Sequence, residues 1–197
     1  MNMKKIIIMI GPPGSGKGTQ AKKIAQKYNY AHLSSGDLLR VLAQKENLND
    51  AEKEALIQMQ AGRLVADDLI YQLVFSEIKK NIVQDKGVVL DGAIRNLEQA
   101  RAFQKFFAEQ NLTDKVLVLE INLNEKDSLA RLTKRQILEA RQDDEAEIIG
   151  RRIVQQGNAA LAPIAKFYED LGVLKKIDGN QTIEDVEKDV EKALVIE

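Results

Sequence analysis

The ten residues "GPPGSGKGTQ", Gly11 to Gln20, follow the apolar run "KKIIIMI" and contain glycine, four residues, glycine and lysine as Gly11, Gly16 and Lys17. Glycines at such places let backbone N–H groups turn inward around phosphate oxygens, and a helix starting there adds partial positive charge. Lys17 is then placed to reach the outer phosphates of a nucleoside triphosphate. The general pattern has a hydroxyl residue directly after the lysine. Here Gly18 intervenes and the hydroxyl comes at Thr19. Asp91 ends the apolar run "VVLDG", a position where a carboxylate orders Mg²⁺ and its waters beside phosphates. The same residue would also serve as a helix cap or turn former. Arg131 and Arg135 are four residues apart, which puts both on one face of a helix. Arginine stays protonated and grips phosphate oxygens with two parallel hydrogen bonds, although a lone arginine is more often part of a solvated surface.

These residues need elements to hold them. Apolar, β-branched runs recur at "KIIIMIG", "GVVLDG" and "KVLVLEINL", with weaker ones at "YAHLS" and "GVLKKIDG", separated by segments of helical period. Continuous apolar runs suit strands buried on both faces, so the reading is an α/β domain with a doubly wound, five-stranded parallel sheet and helices on both faces. Two stretches fall outside the alternation: a mostly helical one from Ser34 to about Val65, and a polar run from Leu132 to about Asp143. Both read as inserts that move. The chain has 197 residues, 44% hydrophobic and 30% charged, which fits one ordinary globular domain. Lys plus Arg (29) nearly balances Asp plus Glu (30), so bulk charge points to neither nucleic acid nor membrane. With no cysteine and a single His32, disulfides and cysteine-ligated zinc are excluded. The opening apolar run is too short for a membrane helix and lacks a signal-peptide cleavage pattern, so a cytoplasmic protein is expected.

The phosphate loop with Gly-Thr after its lysine resembles that of the adenylate kinases and their relatives, the nucleoside monophosphate kinases. Further strings match in order: "LSSGDLLR" (Leu33 to Arg40), "GRLVADDL" (Gly62 to Leu69), "LDGAIRNLEQA" (Leu90 to Ala100), Arg131 and Arg135, "RQDDEAEIIGRR" (Arg141 to Arg152), and "DGN" after the last strand. The resemblance covers nearly the whole chain. It implies a P-loop core, an acceptor insert at about 34–65 and a short lid at about 132–142. It implies reversible transfer of the γ-phosphoryl of MgATP to AMP, giving two ADP. Gly14, Ser15, Gly16, Lys17, Gly18, Thr19, Arg131, Arg135 and Gln181 would hold ATP. Ser35, Arg40, Arg63, Leu64, Val65, Gly92, Ala93, Ile94, Arg95, Gln99, Arg141 and Arg152 would hold AMP. Catalysis would fall to Lys17, Arg95, Arg131, Arg135, Arg141 and Arg152, with Asp91 reaching Mg²⁺ through water. Asp143 and Asp144 would orient arginines or the metal's waters, or else cap a helix. Nucleotides are the implied partners, the enzyme a monomer without zinc. His32 reads as a packed residue, since the reaction hardly needs a general base.

One place departs from the family. Most relatives have Phe-Pro, with a cis bond before the proline, where this chain has Ala93 and Ile94. A non-proline cis bond costs about 2.5–4 kcal/mol, so this bond should be trans or strained. A lost ring also leaves a roomier acceptor pocket, with relaxed selectivity, unless Ile94 and its neighbours restore the wall. Two rivals stand beside the AMP reading: a UMP/CMP or broad-range kinase, and a nucleotide-sensing protein that has lost turnover. Gln99 favours AMP, because a side-chain amide pairs bidentately with adenine.

Overall fold

The computed structural model describes residues 3–139 and 146–195. β1 (Ile6–Ile10) is buried along its whole length, as its unbroken apolar sequence requires. It lies between β3 (Val88–Asp91) and β4 (Val116–Asn122), with β2 (Ala31–Ser34) and β5 (Leu174–Asp178) at the edges. Among the described residues the sheet is five-stranded, in the order β2-β3-β1-β4-β5, and every pairing is parallel.

Alternation along β1 sends its side chains into two cores. Ile6, Ile8 and Ile10 pack into the larger one with α4 (Asp67–Val83), α5 (Leu97–Glu109) and α8 (Asn158–Asp170). Ile7 and Met9 face α1 (Lys17–Tyr28) and α9 (Ile183–Leu194) on the other side. Phe103 and Phe107, both fully buried on α5, anchor the larger core and meet edge to face, the arrangement that aromatic quadrupoles favour. The doubly wound fold expected from the strand runs is present.

The stretch after β2 is helical, as its composition suggested. α2 (Ser35–Leu42) starts at Ser34, whose side chain accepts from Asp37 N–H. α3 (Asp50–Gln60) starts with a capping box between Asn49 and Glu52. The polar run from Leu132 reads in sequence as a short, movable insert. Through Glu139 it continues α6 (Glu125–Glu139), since it has no Gly or Pro to stop a helix and Leu132 is buried. The remainder of the expected lid, with Arg141, Asp143 and Asp144, lies outside the described residues. α7 (Ala146–Gln156) follows. Every peptide bond among the described residues is trans, that between Ala93 and Ile94 included, so the less strained of the two expectations holds there.

Candidate active site

β1 is flanked by β3 on one side and β4 on the other, and chain connections leave it in opposite directions. In such sheets ligands bind beyond the carboxyl ends of the strands at this point. The phosphate loop occupies it. Ser15 N–H donates to Pro12 C=O at 3.1 Å, closing the turn. Gly16 then caps α1 at φ 90°, a conformation that suits glycine. No side chain caps α1, so its first N–H groups are left for an anion. From the other side Ser128 of α6 donates to the carbonyl of Pro13 and is itself buried, which pins the loop.

Lys17 opens α1, and its Nζ donates to Pro12 C=O at 3.3 Å. Burial pushes its pKa down to about 8; Asp91 opposes this, and Arg152, Arg95 and Arg135 add to it. An ammonium among arginines awaits negative charge. Asp91 ends β3 beside Met9 of β1. Burial alone would raise its pKa, but His32, Lys17 and Arg95 outweigh that and hold the carboxyl below its usual range. His32 Nε2 lies 3.6 Å from Asp91 Oδ2, longer than a hydrogen bond. The glycine at position 18 has a direct reason, because a Cβ there would come within 2.9 Å of Asp91 Oδ2. Gly18 thus lets the carboxylate lie against the first turn of α1.

Around this centre lies a cavity of about 660 Å³, within the range of small-molecule sites. Its wall includes Gly14, Ser15, Gly16, Lys17, Gly18 and Thr19 from the loop, and Asp91. Arg40, Gly92, Ile94, Arg95, Arg131, Arg135, Arg152 and Gln181 also line it. Arg131 and Arg135 reach the cavity together, as their spacing on one helix predicted, and Arg131 Nη2 donates to Gly179 C=O at 2.9 Å. Arg40 pairs with Asp37 at 2.6 Å while about half exposed, and such a pair is easily exchanged for a ligand.

The loop after β3 is built around Arg95. Its Nε donates to Gly92 C=O at 2.8 Å and its Nη2 to Ser35 Oγ at 3.3 Å, while Ser35 donates in turn to Gly92 C=O. Asn96 caps α5 by accepting from Gln99 N–H at 2.7 Å. Gln99 is buried, with Oε1 accepting from Arg95 N–H at 2.6 Å and Nε2 donating to Asp67 Oδ1 at 2.7 Å. Ala93 is buried too. Ser35, Ala93 and Gln99 form the layer behind the wall rather than the wall itself. Arg63, Leu64 and Val65, at the close of the insert, do not line the cavity, and Arg63 is exposed.

Sequence reasoning missed several contributors. Lys134, three residues after Arg131, lines the cavity, and helical spacing would have found it. Ile183, Val186 and Leu161 give the wall apolar area, with no signal beyond being apolar. Asp67 stands inside the quoted string "GRLVADDL", but its partner is 32 residues away, beyond the reach of any local pattern.

A parallel α/β sheet with a phosphate loop at its switch point, a lysine and carboxylate at the centre and arginines on both sides defines a P-loop phosphotransferase. The adenylate kinase family model matches residues 9–173. An adenylate kinase of Prochlorococcus marinus is 36% identical over 193 residues, covering 98% of each chain. That of Thermus thermophilus is 34% identical over 197 residues, 100% of both. Adenylate kinase isoenzyme 1 of Cyprinus carpio is 34% identical over 190 residues, 96% of this chain and 94% of its own. The chain belongs to the adenylate kinase family and is a kinase.

Proposed function

We propose that this chain carries the γ-phosphoryl of ATP directly to AMP, giving two ADP, with the acceptor held on the Arg40 and Arg95 side and the donor on the Arg131 and Arg135 side. The observation that carries the assignment is the cavity itself: cationic side chains at both ends and Lys17 and Asp91 between them. In-line transfer needs the two phosphate chains aligned and their charge neutralised, and little else from the protein. Lys17 and Arg152 stand where charge grows on the transferred group. Arg141, outside the described residues, would join them.

The residues present suit Mg²⁺. Asp91 keeps an ionised carboxyl beside the loop, and Thr19 brings a hydroxyl to the same wall. Mg²⁺ keeps most of its waters and needs only one or two protein oxygens besides the phosphates. When bound it would supply neutralising charge, and Asp91 would hold its waters in register. The proposal includes a monomeric, cytoplasmic enzyme. Among the described residues no helix is long and apolar enough to cross a membrane.

Acceptor choice is the finer part. Ala93 brings no ring to the acceptor side, and Ile94 fills the place of a proline while remaining in the core. A pocket shaped by aliphatic contacts alone separates substrates by only about 1–3 kcal/mol. Selectivity among monophosphates is therefore relaxed, with AMP still preferred. The test compares kcat/KM for AMP, CMP, UMP and GMP in this chain and in the double variant Ala93→Phe, Ile94→Pro. Rates within a few orders of magnitude, narrowing in the double variant, support it. A preference for AMP beyond about 10⁴-fold removes the relaxed range, and no ADP from AMP removes the function.

A further inference from the structure

The phosphate loop begins with a tight turn. Ser15 N–H on Pro12 C=O at 3.1 Å, with Gly14 at φ 80°, makes Pro12 to Ser15 a type II turn. Its central peptide, between Pro13 and Gly14, is trans, so the carbonyl of one residue and the N–H of the next point in opposite directions. A type I turn closes with the same end-to-end hydrogen bond but with the central peptide turned over. Proline at the second place suits both turns, and glycine at the third tolerates both. The residues of the turn therefore admit either direction for Gly14 N–H.

A distant residue decides between them. A serine inside a helix usually turns its hydroxyl to solvent or back to the carbonyl four residues before it. Ser128 lies in α6, is 1% exposed, and donates its hydroxyl to Pro13 C=O, 115 positions away in the chain. That carbonyl belongs to the central peptide. With it held against α6, Gly14 N–H points away from α6, and it is Gly14, not Ser128, that lines the cavity. α6 also closes on the turn from the same side: a Cβ at Gly14 would come within 3.0 Å of the Ser128 carbonyl oxygen and 3.3 Å of Leu132 Cγ. Among the described residues Gly14 N–H makes no backbone hydrogen bond, which leaves it for an anion. We propose that Ser128 is a positioning residue for the donor: by fixing the Pro13–Gly14 peptide it keeps Gly14 N–H aimed at the donor's phosphate chain. Without the hydroxyl the peptide turns over in part of the molecules, and Pro13 C=O then faces the phosphates and repels them. This rests on the reading above that the phosphates of ATP lie in the loop.

The experiment measures KM for ATP and for AMP, each varied with the other saturating, in the original chain, in Ser128→Ala and in Ser128→Thr. Ser128→Ala raises KM for ATP about tenfold, because apparent affinity falls with the fraction of loops in the competent orientation and one net hydrogen bond sets that fraction. KM for AMP stays unchanged. Ser128→Thr keeps the hydroxyl and with it most of the affinity for ATP. A second measurement needs no variant: the amide proton of Gly14, followed by NMR as MgATP is added without AMP, shifts together with those of Gly16 and Lys17. An unchanged KM for ATP in Ser128→Ala overturns the inference, as do equal rises for ATP and AMP or an equal loss in Ser128→Thr. So does a Gly14 amide that ignores MgATP while those of Gly16 and Lys17 respond. If no amide of the loop responds to MgATP, or the original chain forms no ADP from ATP and AMP, the proposed function falls and the inference with it. A responsive loop with a KM for ATP insensitive to Ser128 overturns the inference alone.

Discussion

Lys17 is the residue proposed to meet the transferred phosphates, and its surroundings predict a pH dependence. Burial first, then the nearby arginines, bring its pKa down to about 8 in the unliganded protein. Bound phosphates reverse that by supplying the missing negative charge. kcat/KM for ATP, which reports the free enzyme, should fall above about pH 8, while kcat should hold to higher pH. A pH profile of both constants checks this, and a kcat/KM that stays level to about pH 9.5 contradicts it. The same shift has a consequence for stability. Between about 8 and the usual 10.5 the unfolded chain binds more protons than the folded one at this site, so its contribution to stability rises with pH across that window. Lys17 and Asp91 were legible because each is tied to a strand end and a motif. Asp67 was not, because what it does depends on α4 and α5 meeting.

At the scale of elements, α2 brings Arg40 to the cavity and α6 brings Arg131. α2 follows β2 and α6 follows β4, strands on opposite sides of β1 in the sheet, so their arginines should fail separately. Arg40→Ala should chiefly raise KM for AMP, and Arg131→Ala chiefly KM for ATP, each by about tenfold or more, since a charged hydrogen bond contributes roughly 1.5–3 kcal/mol. Steady-state kinetics with each substrate varied in turn decides it. Equal losses for both substrates in both variants would merge the two sites into one. All five strands were legible because runs such as "KIIIMIG" are buried on both faces and carry their own signal. The reach of α6 past Arg135 was not: its polar outer face hides the row, Leu132 among it, that packs against the phosphate loop. The folding of the stretch after β2 into α2 and α3 was legible in composition. That Gln99 sits behind the wall, held by Arg95 N–H and Asp67, followed only from the packing.

On the scale of the whole molecule, the sheet separates two cores, and the cavity opens beyond the carboxyl end of the fully buried β1. That end is where the phosphate loop, Asp91 and the arginines of several distant segments meet. The arrangement makes sense for a reaction that must bring two anions together and keep water out, since exposed ATP would lose its phosphoryl group to water. Phosphorus NMR on a mixture of ATP, AMP and Mg²⁺ with the enzyme tests this most directly, because it follows every phosphate at once. The account predicts that ATP and AMP disappear together, two ADP appear for each pair, and no inorganic phosphate accumulates. It also predicts that Lys17→Met stays folded and loses turnover by orders of magnitude. ADP and inorganic phosphate appearing in equal amounts while AMP remains, or Lys17→Met turning over at the original rate, would contradict it.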